Sequence, residues 1–589
     1  MNLRQSSVIL LVTLTVVGYG LRVIGAHTSV LFAHDTQLVR QSLEVGQQWL
    51  GVEGPVDDNP STYPMTLTMF LTGVYGIMFS AGLIVGAFDS ASAFRDFLFV
   101  NREEIYLVAV LCLNLVSISL IPASFFAHRR LNSRHSGWLA AGFATFNLLL
   151  VHFGHQPRPH APYASITFLT ILLLVMLANR AGGQRLLIIA TVMSAVTVGT
   201  LQSGLLIVVP YISALFLGSC NGGRFHWQEF VRMPYLGSIA LFLTLCMILY
   251  PNFAGEYGGL LLNSLIRHDS AFRIGSQSHS VSLLMFNVDN IPQFVSRLQT
   301  YQPFLTLLLP ISAIYFVGAR RKQYRTLLVA IPFPLMNLII WSLFEGTYPR
   351  FTAVLQPFMI FAAAYFLEDV VLWLSCKSGF KLSRMRALVF ALLISPLALT
   401  SARLVWVSTQ PDTRTLAIDW IHRNISAGET FLVNFPQTSL LPTNGAIYRQ
   451  NRDFPGSVGG FWHWLSEEES VFHARYDIYD KMYWQRLDTN SDARDEFIQR
   501  AGIRYLLVRS LVSLASVEDM SSYAQVNGRL IHIVCPAHDA IVAELPDDLF
   551  YQAWIQVWQL EKPGPFVAIY DLDQPPENPP IERYCQTRP

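Results

Sequence analysis

MTLTMFLTGVYGIMFSAGLIVGAF, residues 65–88, is apolar and long enough to span a bilayer, and whether it does so decides the topology of everything after it. Other apolar runs lie at residues 6–26, 105–126, 138–153, 163–178, 186–220, 236–253, 304–317, 327–344, 351–374 and 387–407. The run 186–220 is too long for one helix and carries Gln202, Ser203 and Gly204 in its middle, so it splits into two short ones. Lys and Arg in short loops mark the cytoplasmic side. The clusters are Arg129, Arg130 and Arg134; Arg180 and Arg185; Arg224 and Arg232; Arg320, Arg321, Lys322 and Arg325; and Lys377, Lys381, Arg384 and Arg386. They fall in every second loop. With Arg4 and the N-terminus inside, a crossing at 65–88 would place every cluster outside, whereas no net crossing places every cluster inside. The second arrangement obeys the charge rule, so 65–88 is expected to be an external interfacial or re-entrant helix.

Composition agrees with a membrane protein. Of 589 residues, 52% are hydrophobic and only 14% charged, against roughly 25% charged in a soluble domain, and the mean hydropathy is +0.37. The net charge of +1 gives no field that would draw a nucleic acid. The first run contains Arg22 and lacks a small-residue cleavage site, so it reads as a retained anchor. The expected fold is a polytopic α-helical membrane protein of about eleven net-crossing helices plus the interfacial or re-entrant one, in residues 1–408. Its first external loop is 28–103. Residues 409–589 are expected to form an extracytoplasmic α/β domain at the outer face of a plasma membrane. In that tail Leu416, Ile418, Trp420 and Ile421 keep a helical period, Gly428 ends the helix, and TFLVNF (430–435), IRYLLVR (503–509), RLIHIVC (529–535) and FVAIYDL (566–572) read as strands. PGSVGGFWHW (455–464) is a connection and QPPENPP (574–580) is irregular. Cysteines are few and lack zinc or redox spacing. Cys535 and Cys585 are the tail's own pair, and an oxidising compartment would let them join.

The same parity places the polar segments 28–103, 154–162, 254–301 and 345–350 outside. Asp35, between His34 and Thr36, is a candidate catalytic carboxylate; it also stands where an N-cap would, before Leu38, Val39, Leu43 and Trp49. Arg158 lies between Pro157 and Pro159, a fixed extended setting that suits a held ligand, although an arginine there could equally snorkel to headgroups. His155 and His160 are candidate donors or plain loop histidines, and their spacing without an acid is a poor metal signature. Arg350 is a phosphate ligand or an interfacial anchor. Arg267, His268 and Arg273 form a further basic group, with Glu256 and Asp269 as reserve acids, while Asp57-Asp58 reads as a solvated turn. Arg22 needs a partner or an aqueous cavity wherever it lies deep.

In order, GLRVIG (20–25), HDTQLVRQSLEVG (34–46), STYPMTLTMF (61–70), HQPRPHAPYASITFL (155–169) and TYPRFTAVLQPFMIFAAAYF (347–366) form a pattern. It resembles the GT-C superfamily of integral-membrane glycosyltransferases, in the branch similar to bacterial protein mannosyltransferases and the lipid A aminoarabinose transferase. LAIDWIHRNISAGETFLVNF (416–435) is similar to the start of the external domain of many bacterial members. The resemblance implies transfer of a sugar from a polyprenyl-phosphate carrier to a lipid, glycan or protein acceptor at the outer face. It implies Asp35 as the base or acceptor-positioning acid, and Arg158 and Arg350, with His160, as ligands of the leaving phosphate. The family commonly has Asp-Glu where this chain has Asp35-Thr36, which leaves a divalent-metal requirement open. It also has Lys or Pro-Pro where this chain has Thr62-Tyr63-Pro64-Met65, which shifts phosphate binding toward Arg158, Arg350, Arg267 and Arg273. Two other classes stay in view: a transporter or flippase of a lipid-linked sugar, expected to show discontinuous helices and midplane charges, and a non-catalytic cell-envelope scaffold.

Overall fold

The computed structural model describes residues 5–26, 37–50, 64–179, 183–221, 224–225, 233–251, 271–274, 277–280, 287–343, 349–434, 440–454, 475–487, 491–510, 519–537, 554–576 and 585. The helices begin with α1 (Gln5–Val23), α2 (Gln37–Leu50), α3 (Met65–Val85), α4 (Ala91–Val100), α5 (Arg102–Ser117), α6 (Leu120–Leu131), α7 (Trp138–Thr145), α8 (Leu148–Gly154) and α9 (His160–Ala178). Then come α10 (Gln184–Val198), α11 (Val208–Ser219), α12 (Met233–Leu249), α13 (Ile291–Tyr301), α14 (Pro303–Arg320), α15 (Tyr324–Ala330) and α16 (Pro332–Leu343). The bundle closes with α17 (Pro349–Thr352), α18 (Gln356–Ser378) and α19 (Leu382–Ser408). Among the described residues eight helical stretches are long and apolar enough to cross a membrane, and 65–85 is one of them.

Packing ties that helix to the end of the bundle where α1 ends and α5 begins. Ala26 packs beside Val110 and Tyr106, the Arg22 carbonyl accepts from the Asn114 amide, and Gly18 faces Ile121. Those contacts run in opposite order along the two chains, so α5–α6 descends antiparallel to α1, and the chain leaves α1 and enters α5 at one end of the bundle. Between them α3 is tied to that same end: the Thr66 N–H donates to the Gly199 carbonyl at 2.8 Å, Thr72 Oγ1 to the Ser42 carbonyl at 2.8 Å and Tyr75 OH to the Ile105 carbonyl at 3.2 Å. Leu67, Leu71 and Tyr75 face protein, while Ile77, Ile84 and Val85 are exposed. The reversal into α4 needs Gly82, where an added Cβ would sit 2.1 Å from the Phe88 ring.

At the opposite end the elements that carry four of the basic clusters meet. Arg320 Nη2 donates to the Leu131 carbonyl at 2.7 Å, Arg386 to the carbonyl of Arg134, and Asn179 Nδ2 to Thr326 Oγ1 at 3.1 Å. This is the common side that the charge pattern demands.

The tail begins with α20 (Thr413–Asn424), capped by Asp412, whose carboxylate also holds the Arg414 guanidinium at 2.7 Å, both buried. A six-stranded sheet follows in the order β6-β7-β5-β8-β10-β9, with β5 (Thr430–Val433), β6 (Leu441–Pro442), β7 (Arg475–Asp480), β8 (Tyr505–Ser510), β9 (Arg529–Val534) and β10 (Phe566–Asp571). The short hairpins β1 (Cys220–Asn221) with β2 (Arg224–Phe225), and β3 (Ala271–Ile274) with β4 (Gln277–Ser280), precede it. Strands β5 to β8 are parallel, and β10 runs antiparallel to β8 and β9. Strand residues alternate between two apolar clusters, Phe431, Val433 and Leu507 on one face and Leu432, Leu506 and Val508 on the other, so both faces are covered, as parallel sheets require. Cys535 and Cys585 are joined by a disulfide. Ser510 pairs with Phe566, and the Pro563 and Pro565 carbonyls accept from Thr413, just past α19. The carboxyl edge of the parallel strands therefore faces the bundle.

Candidate functional site

The run 138–153, expected as one span, is broken at Phe146–Asn147 into α7 and α8. The cause is Asn147: its Oδ1 caps α8 by accepting from the Leu150 N–H at 3.0 Å, and its Nδ2 donates to Gln356 Oε1 at 3.0 Å. The break orphans the last carbonyls of α7, and Arg22 reaches them, Nη2 donating to Ala144 at 2.9 Å and Nη1 to Thr145 at 3.3 Å and Gly18 at 2.7 Å. A buried guanidinium is thus held by carbonyl dipoles at a helix C-terminus. Close approach of α1 requires Gly154, where a Cβ would lie 2.6 Å from the Arg22 side chain.

Residues 154–162, expected as an external loop, are buried throughout. Folding them inward buries polar groups, and the structure pairs several of them with backbone and side-chain partners. The Gly154 carbonyl accepts from Asn114 Nδ2 at 2.6 Å, His155 Nε2 donates to the Leu21 carbonyl at 2.8 Å, and Gln156 Nε2 donates to His152 Nε2 at 3.2 Å. Burial pushes the His155 imidazole down to about 4, the Arg22 charge adding to the effect and the Leu21 carbonyl opposing it. Arg158 is 0% exposed, so it does not snorkel to headgroups. His160 is buried at the first turn of α9 with its ring stacked on Phe153 at 5.4 Å, and Tyr163, one turn on, accepts from Ser203 at 3.1 Å.

Arg350 stands on α17, half-buried, with its guanidinium 5.3 Å from the Phe351 ring, which stacks on Trp341 at 4.3 Å. Phe168 of α9 packs on Phe358 and Phe361 of α18. Both helices end among the basic clusters, so α9 and α17–α18 run in the same direction. Arg158 and Arg350 accordingly stand before two adjacent helices at the same end of the bundle. Asp35, Arg267, His268 and Asp269 lie outside the described residues; Arg273 falls on β3, where only the backbone is described. Among the described residues no three His, Cys, Asp or Glu side chains come together as a metal group.

Sequence reading passes over several single polar residues inside apolar runs: Asn114, Asn147 and Gln356 at this end, and Glu368 and Asp369 at the other. Asp369 accepts from His135 at 2.9 Å and Tyr315 at 3.0 Å. Glu368 accepts from Ser136 and from the Gly137 N–H at 3.2 Å, fixing the start of α7. Their signal was an uncompensated polar group in a spanning segment.

No protein-family model matches the chain, and no curated protein matches it. Among solved structures it is similar to ArnT from Cupriavidus metallidurans bound to undecaprenyl phosphate, at 11% identity and a TM-score of 0.43, over 96% of this chain and 98% of that one. The apo ArnT of the same organism gives 11% identity, a TM-score of 0.43 and coverage of 95% and 97%. The oligosaccharyltransferase of Archaeoglobus fulgidus, in complex with zinc and sulfate, gives 11% identity and a TM-score of 0.42 over 84% of this chain and 67% of that one.

Proposed function

We propose that the chain is a glycosyltransferase that moves a sugar from a polyprenyl-phosphate carrier to an acceptor at the outer face of a plasma membrane, with the tail on that face. The observation that carries this reading is Arg158, a fully buried guanidinium on a Pro-Arg-Pro turn at the start of α9. The planar fork suits the oxygens of a leaving phosphate, with Arg350 before the neighbouring helix at the same end of the bundle and His160 at the first helical turn. Asp35, two residues before the start of α2, would take the proton of the acceptor hydroxyl as the new bond forms.

The test uses the full chain with a panel of polyprenyl-phosphate sugars, scoring loss of donor and transfer to acceptor. Asp35→Asn keeps size and capping ability but removes the charge, and turnover is expected to fall by roughly 100-fold with donor binding little changed. Arg158→Lys keeps charge but loses the fork, and is expected to weaken donor binding. An Asp35→Asn protein transferring at near the parent rate removes Asp35 from the mechanism.

One observation favours the flippase reading: the discontinuous pair α7–α8, which sequence reading did not find. Its polar groups are engaged by Arg22, Asn147 and Gln356, as a structural break would have them. In proteoliposomes a flippase would move the labelled donor between leaflets without consuming it.

A further inference from the structure

A cavity of about 1090 Å³ lies between α6, α9, α14, α15–α16 and α18. Its walls are almost wholly apolar, and apart from Ser119 its polar side chains lie at one end, where Arg130, Asn179, Gln323 and Thr326 form a rim. That end is the basic one. Arg130, Arg321 and Lys322 are exposed there, while the two acids nearby, Glu368 and Asp369, are already bound by Ser136, His135 and Tyr315. Along α9 the lining runs from Phe168 to Asn179, about 16 Å at 1.5 Å per residue, which is roughly the depth of one leaflet of a 30 Å core.

These three features select an occupant. Its apolar part matches a chain of one leaflet's length, its polar part lies at the rim, and the rim's uncompensated charge is positive. We propose that the cavity is a binding site for an anionic phospholipid of the leaflet at the basic end, with an acyl chain along α9 and the headgroup phosphate at Arg130. Basic pockets between membrane helices recognise such headgroups through the surplus of Lys and Arg. The site is separate from Arg158 and Arg350, which stand at the other end of the same helices. The lipid would fill a volume that otherwise leaves Phe168, Phe358 and Leu338 without partner atoms on one side.

The experiment uses the full chain in mild detergent, with native mass spectrometry and thermal unfolding after addition of dioleoyl phosphatidylglycerol or dioleoyl phosphatidylcholine. One retained phosphatidylglycerol per chain is expected, raising the unfolding temperature. Arg130→Gln, an exposed change that leaves the core alone, should weaken its binding roughly fivefold, the worth of one basic side chain. Ala362→Phe should fill the cavity and exclude the lipid. Equal retention of the two lipids, or Arg130→Gln binding like the parent, overturns the proposal. So does displacement of phosphatidylglycerol from the parent by added undecaprenyl phosphate, because the cavity would then serve the donor.

Discussion

Arg22 and His155 show what it takes to fold a polar stretch into apolar surroundings. Each is matched to a carbonyl that the break at Phe146–Asn147 or the end of α1 leaves over, and neither match follows from sequence, because the partners are backbone groups more than 100 residues away. The His155 match has a measurable consequence. Its imidazole is neutral when folded and titrates at about 4, against about 6.5 when unfolded. The unfolded chain therefore takes up the proton first as the medium acidifies. The contribution is fully present above about pH 6.5 and is lost between there and about 4, on the order of 3 kcal/mol. Relative to His155→Gln, the parent should lose thermal stability across that window and not above it. Parallel curves for the two proteins from pH 7 to 4 would show that His155 does not titrate as described. Arg158 could be picked out in the sequence, since an arginine between prolines is conspicuous, but its complete burial could not: hydropathy places nine polar-rich residues outside, and only the packing of α1, α5 and α9 around them draws them in.

At the scale of elements, hydropathy and charge read α3 differently. The helix passes every local criterion for a span, while the antiparallel contact of α1 with α5–α6 brings the chain back to the end of the bundle it left. Cysteines placed at Ser90 and Ser133 should therefore react with an impermeant reagent from opposite sides, and labelling of both from one side would contradict the packing. Span positions were legible because apolar length is a strong signal. Interruptions such as Asn147 were not, because one asparagine in an apolar run leaves the average unchanged. The tail strands at 430, 505, 529 and 566 were readable from their β-branched and aromatic runs. The short edge strand β6, Leu441–Pro442, was not, having two residues and a proline. The bond between Cys535 and Cys585 closes a loop across 50 positions. In the chain-entropy view it contributes about 4 kcal/mol. Replacing both by Ser should lower tail stability by about that amount, and a thiol assay on denatured, unreduced protein should find neither tail cysteine reactive.

At the scale of the whole molecule, described contacts tie the tail to the helices. Arg403 of α19 donates to the Val557 and Leu560 carbonyls at 3.3 and 2.6 Å while its guanidinium lies 4.1 Å from the Trp406 ring. The Trp554 N–H donates to the Thr300 carbonyl at 2.9 Å. The carboxyl edge of the sheet is thereby turned toward the end of the bundle at which α19 leaves it.

The placement of α3 also bears on how the molecule is made. A ribosome delivers residues 65–85 before any arginine that argues against a crossing, so a nascent chain has reason at first to thread that helix through the bilayer. Only when Arg129, Arg130 and Arg134 emerge does the evidence of charge reverse the choice. Biogenesis would then pass through an orientation that the finished protein abandons. A chain truncated at residue 110 and carrying a cysteine at Ser90 should expose it on the cytoplasmic side, whereas one extended past residue 140 should expose it on the other. If both lengths expose Ser90 on the outer side, the orientation is settled before the arginines arrive.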